Sequence, residues 1–232
     1  MANIVLINAS GIGSRFGCKI PKQFFNIGGT PILYYCLNKF QTNDLVDEIY
    51  IIAQQEYFKM IEDICKKFNI NKFRQCINGG NSANESRYNG LKNIKCQATD
   101  LIIMHDAVRI CIKDSTISKL IEMGKEYGYG VCGQTLNANI FIPNVDDSVV
   151  DDNIPSKNIF LNAMPFICRY NILLEAFNKG VNELDTTAGP MGILSKFGGI
   201  KVFPKIEIDF IESFKITYRE DIDFIEKIIK MT

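Results

Sequence analysis

The chain has 232 residues, 47% hydrophobic and 22% charged, enough to bury one sizeable core and ordinary for a globular protein. Lys+Arg and Asp+Glu balance at 26 each, so no global field draws nucleic acid or an anionic membrane surface, and no apolar run nears the roughly 20 residues that span a bilayer. A local basic cluster remains open.

In chain order, the first element is the apolar run Asn3–Asn8, read as a buried strand. It leaves through NASGIGSRFGCKIPKQF (Asn8 to Phe24), where Gly11, Gly13 and Gly17 are interleaved with Arg15, Lys19 and Lys22. A glycine-rich turn after a strand lets backbone N–H groups approach a phosphate. A dinucleotide fold would want G-x-G-x-x-G and an acid ending the second strand, but Gly11-x-Gly13-x-x-x-Gly17 has the wrong spacing and that strand ends IIAQQ. A P-loop is excluded, because no G-K-[ST] follows. A nucleotidyltransferase loop fits, with N–H groups around a triphosphate, Arg15 inside the wrap and Lys22 returning over it.

Further β-branched runs at Glu48–Ala53, Phe73–Ile77, Asp100–His105 and Gly130–Gln134 read as strands. Helical spacing covers Pro31–Phe40, Glu56–Phe68, Asn84–Leu91 and Ser115–Tyr127. Strands alternating with helices predict an α/β fold with a mostly parallel sheet covered on both faces. Ligands bind such sheets beyond the carboxyl ends of the strands, so NASGIG, INGGNSANES and HDAVR, each following a strand, are expected at one rim. Residues 136–157 are polar, with Asp146-Asp147 and Asp151-Asp152, and read as an arm leaving a single domain of 1–232. The chain resumes with Asn158–Met164, helices at Tyr170–Lys179 and Met191–Phe197, a strand at Gly199–Phe203 and a last helix from Glu220 to Lys230.

Eight scattered cysteines without a C-x-x-C pair, and one histidine, His105, argue against a zinc site. With no leader pattern before the first strand, reduced thiols and a cytoplasmic location are expected. His105 reads as a packed strand-end residue, Arg87 and Lys92 as a solvated helix face, and the Tyr34-Tyr35 and Phe24-Phe25 pairs as core.

ASGIGSRFG…PKQF resembles the A-A-G-x-G-x-R-[MF]-G…PKQ signature of the cytidylyltransferases that act on methylerythritol phosphate and on ribitol phosphate. INGGNSANESRYNGL is similar to that family's G-G-x-x-R-x-x-S-v-x-x-G-L, HDAVR to its H-D-A-A-R, and ESFKITYREDI to its N-I-K-V-T-x-x-x-D-[LI]. The resemblance implies a Rossmann-like, three-layer nucleotidyltransferase fold, CTP as substrate, Mg²⁺ as cofactor and a homodimer in which the arm, 136–157, embraces the partner. It further implies charge stabilisation by Arg15, Lys22 and Lys215. The nucleotide would be read by Ala9, Ser10, Gly11, Gly13, Gly80, Asn81 and Ser86, with Asp106 toward the ribose or the metal. Arg109, Asn139, Lys157 and Thr187 would face the acceptor.

The match thins on the acceptor side. The family's D-T-[IM]-K falls within TLNANIF, its T-P-Q becomes Met164-Pro165-Phe166, its T-D-[DEA] becomes Thr186-Thr187-Ala188, and the arginine of G-G-x-x-R is Ala83. These departures count against methylerythritol 4-phosphate for isoprenoid synthesis, and NIPSKNIF resembles the ribitol branch more than the isoprenoid branch, so ribitol 5-phosphate, for surface polysaccharide synthesis, is the expected acceptor. A non-catalytic relic that still binds nucleotide is the remaining alternative.

Overall fold

Strands form where consecutive residues are apolar and β-branched, because both faces of the sheet are covered. The computed structural model describes residues 1–17, 20–136, 140–141, 153–154 and 159–231. β1 (Asn3–Asn8) leads to a short hairpin, β2 (Asn26–Ile27) and β3 (Thr30–Pro31), and then to α1 (Ile32–Gln41). There follow β4 (Glu48–Ala53), α2 (Phe58–Lys67), β5 (Phe73–Asn78), α3 (Ala83–Asn93), β6 (Leu101–Asp106), α4 (Asp114–Tyr127) and β7 (Tyr129–Thr135). β8 (Ile140–Phe141) and β9 (Asn153–Ile154) pair with each other. β10 (Phe160–Arg169), α5 (Tyr170–Lys179), α6 (Gly189–Phe197), β11 (Lys205–Glu207), α7 (Phe210–Ser213) and α8 (Asp221–Met231) complete the order.

The main sheet has the order β11-β7-β10-β6-β1-β4-β5. Every pairing in it is parallel except those of β10, which runs against both β6 and β7. The period of two along β1 sends Val5 and Ile7 to one face and Ile4 and Leu6 to the other. On the first face they meet Leu33, Leu37 and Phe40 of α1, Ile61 of α2 and Leu120 of α4. On the second they meet Leu91 of α3, Leu173 and Phe177 of α5 and Ile193 of α6. The result is the expected Rossmann-like three-layer α/β fold.

The chain builds outward from β1 through β4 to β5, then returns to set β6 on the opposite side of β1. The crevice at that reversal is where open α/β sheets bind ligands. Here Asn8 and Asp106, the last residues of β1 and β6, are register partners.

Two expectations change. The strand read at Gly199–Phe203 is not one: Gly199 has φ +70° and Val202 is 80% exposed. The strand begins beyond Pro204, whose carbonyl accepts from Val131 N–H, and charged Lys205 and Glu207 suit its place at the sheet edge. The 136–157 excursion, read only as a polar arm, carries the β8–β9 ladder, with Ile140 opposite Ile154. Most of that excursion, Asn139 and Lys157 included, lies outside the described residues.

Gly90, inside α3, lets that helix lie close on the sheet. A Cβ there would stand 2.7 Å from Ile52 Cδ1 and 2.8 Å from Leu6 Cδ2. Gly90→Ala gains about 0.5–1 kcal/mol of helix propensity, against about 1–3 kcal/mol of overpacking. The overlap wins, and chemical denaturation should show a net loss of about 1 kcal/mol.

Candidate active site

The loop after β1 is moulded by its own residues. Gly13 and Gly17 take left-handed φ of 70° and 71°, which only glycine adopts without strain, and Gly13 packs against Lys22 N. Between them a 3₁₀ turn, Ser14–Phe16, buries the Phe16 ring against Phe25. Gln23 is buried, and its amide donates to the carbonyls of Ala9 (2.5 Å) and Gly11 (3.2 Å). The glutamine of the PKQ tripeptide therefore holds the glycine loop in shape from behind, while the lysine is left to face the ligand side. Ser10 closes the other flank: its hydroxyl donates to Asn8 Oδ1 (2.7 Å) and lies 2.9 Å from Ser86 Oγ. Ser86 Oγ also accepts Gly80 N–H at 2.9 Å.

These loops enclose a cavity of about 630 Å³ above the β1/β6 reversal. Among the expected nucleotide residues, Ala9, Ser10, Gly11, Gly13, Gly80, Asn81 and Asp106 line it, as do the cations Arg15, Lys22 and Lys215. Ser86 does not. It is sealed at 0% exposure, and its hydroxyl is engaged with the loops rather than offered to a base. Gln54, Asn78 and Thr217 line the cavity without having been singled out in the sequence.

The centre of the site is Asp106, 8% exposed. Arg87 Nη2 stands 3.2 Å from its Oδ1, while Lys215 Nζ at 3.1 Å and Arg109 Nε at 3.5 Å face its Oδ2. Burial alone would push this carboxyl up, but Arg87, Lys215 and Arg109 outweigh it and hold the group well below the usual carboxylate range. Arg87 is thus a correction: the sequence placed it on a solvated face, and it is buried against the site. A helix side that is polar and buried carries no hydropathy signal.

Arg109, expected to face the acceptor, instead has its guanidinium between Asp106 and the Ser213 carbonyl, and it is not part of the cavity wall. Thr187 donates from Oγ1 to Glu183 O (2.8 Å), and its carbonyl accepts from Asn84 Nδ2 (2.7 Å); it too stands off the cavity. His105 is buried and donates from Nε2 to Arg109 O (2.8 Å), which fixes its tautomer, since a carbonyl can only accept. Burial lowers its pKa to about 4, which suits a neutral structural residue.

The C-terminal segment that brings Lys215 is stitched down. Ile216 N–H donates to Val108 O (3.1 Å), and Glu212, buried, takes Thr116 Oγ1 (2.7 Å) and Lys113 Nζ (3.1 Å). Lys22 Nζ donates to Ile216 O at 2.7 Å. A resident magnesium site does not fit these residues. Among the described residues the cavity wall has one carboxylate, Asp106, with cations on both oxygens, and there is no cluster of three or more His, Cys, Asp or Glu. What the arrangement does chemically is concentrate positive charge, on preformed groups, where a polyanion would react.

The family model described as "IspD: 2-C-methyl-D-erythritol 4-phosphate cytidylyltransferase" matches residues 3–231. The 2-C-methyl-D-erythritol 4-phosphate cytidylyltransferase of Clostridium botulinum (strain 657 / Type Ba4) is 31% identical over 229 residues, covering 98% of this chain and 97% of the relative. The enzyme of the same name from Clostridium acetobutylicum is 29% identical, again covering 98% and 97%. Among solved structures, the Francisella tularensis enzyme of that name superposes with a TM-score of 0.79 at 26% identity, covering 98% of this chain and 99% of its own. The 4-diphosphocytidyl-2C-methyl-D-erythritol synthase of Anaerococcus prevotii has a TM-score of 0.85 at 19% identity, covering 99% and 96%, a likeness of fold.

Lys22 gives the site a pH dependence. Burial first, then Lys215 and Arg15, lower its pKa to about 8 against the opposing pull of Asp106 and Asp221. A bound polyphosphate favours the ammonium form, so affinity is full below that pKa and lost as pH rises through it. Inorganic tripolyphosphate should bind about tenfold more weakly at pH 9 than at pH 7, by proton linkage at one site. In Lys22→Arg, calorimetric titration should find that loss abolished.

Proposed function

The chain belongs to the 2-C-methyl-D-erythritol 4-phosphate cytidylyltransferase family, and from that premise we propose that it transfers CMP from CTP to 2-C-methyl-D-erythritol 4-phosphate, releasing pyrophosphate. The observation that carries the reading is the ring of Arg15, Lys22 and Lys215 on the wall of a cavity at the sheet's reversal point. A phosphate oxygen of the acceptor attacks the α-phosphorus of CTP; the new P–O bond forms as the bond to the β-phosphate bridging oxygen breaks, and pyrophosphate carries that oxygen away. No protein nucleophile or general base is required, so catalysis rests on positioning two anions and offsetting the charge that gathers between them.

In this reading Lys22 and Arg15 lie along the triphosphate, Lys215 at the α-phosphate, and the backbone of residues 9–13 and 79–81 against the nucleotide. Asp106 fixes Lys215 and Arg87 rather than acting on substrate. Magnesium as cofactor is an expectation of the family resemblance; the described residues offer it no carboxylate cluster, and no step here is routed through it. The names of the relatives support methylerythritol 4-phosphate over the ribitol 5-phosphate expected from the sequence. Ribitol 5-phosphate is the second reading, on the strength of the NIPSKNIF stretch, which resembles the ribitol branch, and the surface-polysaccharide role goes with it. A homodimer completed by the 136–157 arm is part of the proposal, supported by the family resemblance alone.

Pyrophosphate release with CTP against methylerythritol 4-phosphate, ribitol 5-phosphate and glycerol 3-phosphate should give the highest kcat/KM for the first. Equal or higher kcat/KM for ribitol 5-phosphate would reverse the choice, and CTP binding without turnover on any acceptor would leave only the relic. Lys22→Ala and Arg15→Ala should each lower kcat by about 10²–10³-fold, the usual loss for one preorganised charge-stabilising group. Their thermal midpoints should stay close to the parent's, because Arg15 is exposed and Lys22 only half-buried.

A further inference from the structure

Arg87 is the buried charge that the reaction as described does not use. It is 8% exposed yet belongs to the cavity wall. Of its five N–H donors, two are engaged, one with Asp106 Oδ1 at 3.2 Å and one with Asn84 Oδ1 at 3.1 Å. Its Nε is without solvent or a partner among the described residues. A guanidinium is rarely taken out of water with most of its donors unspent. Asp106 cannot satisfy it further, since Lys215 and Arg109 claim the other carboxylate oxygen.

The surroundings say which anion the surplus addresses. The glycine loop packs with the first face of the sheet through Phe16 and Phe24, whereas Arg87 projects from α3 on the second face and meets the Asp106 oxygen opposite the one that Lys215 faces. Its neighbour Asn84, one turn earlier on that helix, donates to the carbonyls of Leu184 (2.9 Å) and Thr187 (2.7 Å). The guanidinium is thereby tied to the 184–187 segment. Position 83, where the related motif has its arginine, is Ala83 here, and it too lines the cavity. Residues 83 and 87 are one α-helical turn apart and share a face of α3. In this chain α3 carries its arginine at position 87, one turn beyond position 83 and buried.

We propose that Arg87 binds the phosphate of the acceptor at the inner end of the cavity, in place of an arginine at position 83, with Asn84 as the positioning residue that aims it. This rests on the cytidylyl-transfer reading, so one arm of the test must not depend on turnover.

That arm is equilibrium titration of the CTP-bound protein with inorganic phosphate, which should bind the parent in the millimolar range and bind Arg87→Lys at least tenfold more weakly. In steady-state kinetics Arg87→Lys, which keeps the charge and loses the fork, should raise the acceptor KM at least tenfold and leave the CTP KM within twofold. Asn84→Ala should shift the acceptor KM in the same direction by a smaller factor. The paired change Ala83→Arg with Arg87→Val should recover part of the acceptor affinity that Arg87→Val alone loses, which a purely structural role would not allow. Unchanged phosphate binding and acceptor KM in Arg87→Lys, or a rise confined to the CTP KM, would overturn the proposal; so would a parent that binds no phosphate. A parent that binds phosphate in an Arg87-dependent way but turns over no acceptor would instead defeat the transfer reading and leave this one standing.

Discussion

The architecture of the site depends on a single buried carboxylate. Asp106 ends β6, and the cations around it come from separate parts of the chain: Arg87 from α3, Arg109 from the loop after β6, and Lys215 from the segment before α8. Each would be repelled by the others in a low-dielectric crevice if the carboxylate were absent. One negative charge is too little to neutralise them, and the remainder is a positive field open to the cavity. Asp106 is therefore best understood as the anchor that allows like charges to be packed together. That also explains why it is a poor candidate for holding a metal.

Around that anchor, the backbone is shaped by groups with no ligand to touch. Gln23 grips the carbonyls of Ala9 and Gly11 at the start of the first loop, and the Ser10–Ser86–Gly80 contacts join that loop to the one after β5. The register of β1 with β6 sets Asn8 beside Asp106, so both loops start from the same level of the sheet. The geometry is thus set by side chain-to-backbone bonds made on folding. Little ordering is left to be done when a nucleotide arrives, which is what makes such a site preorganised.

The fold was legible where hydropathy and structure coincide. Val, Ile and Leu fill β1, β4 and β6 because those strands are covered on both faces, and α5 runs over Tyr170–Lys179 as its spacing predicts. Legibility failed where burial is polar. Asn84, Ser86 and Arg87 are all buried on α3, yet their composition reads as a solvent face. Ile200, Val202 and Phe203 read as a strand, but a run of β-branched residues makes one only where a neighbour offers free backbone groups. Here β7 finds its partner beyond Pro204. The glycine loop was found because its residue types are chemically unusual together, HDAVR because it follows a strand, and FKIT, with Lys215, through the family resemblance. Gln23 was hidden because its task, bonding to carbonyls, leaves no mark in composition.

The stitch between the first loop and the tail has a consequence for how the protein comes into being. Lys22 and the Ile216 carbonyl it holds lie 194 positions apart along the chain, and Lys215 is likewise made long after Asp106. At about 5–20 residues per second, a nascent chain has its glycine loop, Asp106, Arg87 and Arg109 seconds before Lys215 emerges. Until then the half-built crevice lacks one of its cations and the lid of backbone that seats another. Synthesis of the segment around Lys215 is thus also the step at which the site becomes whole, so a ribosome-bound fragment that stops short of it can acquire most of the sheet while remaining unable to work.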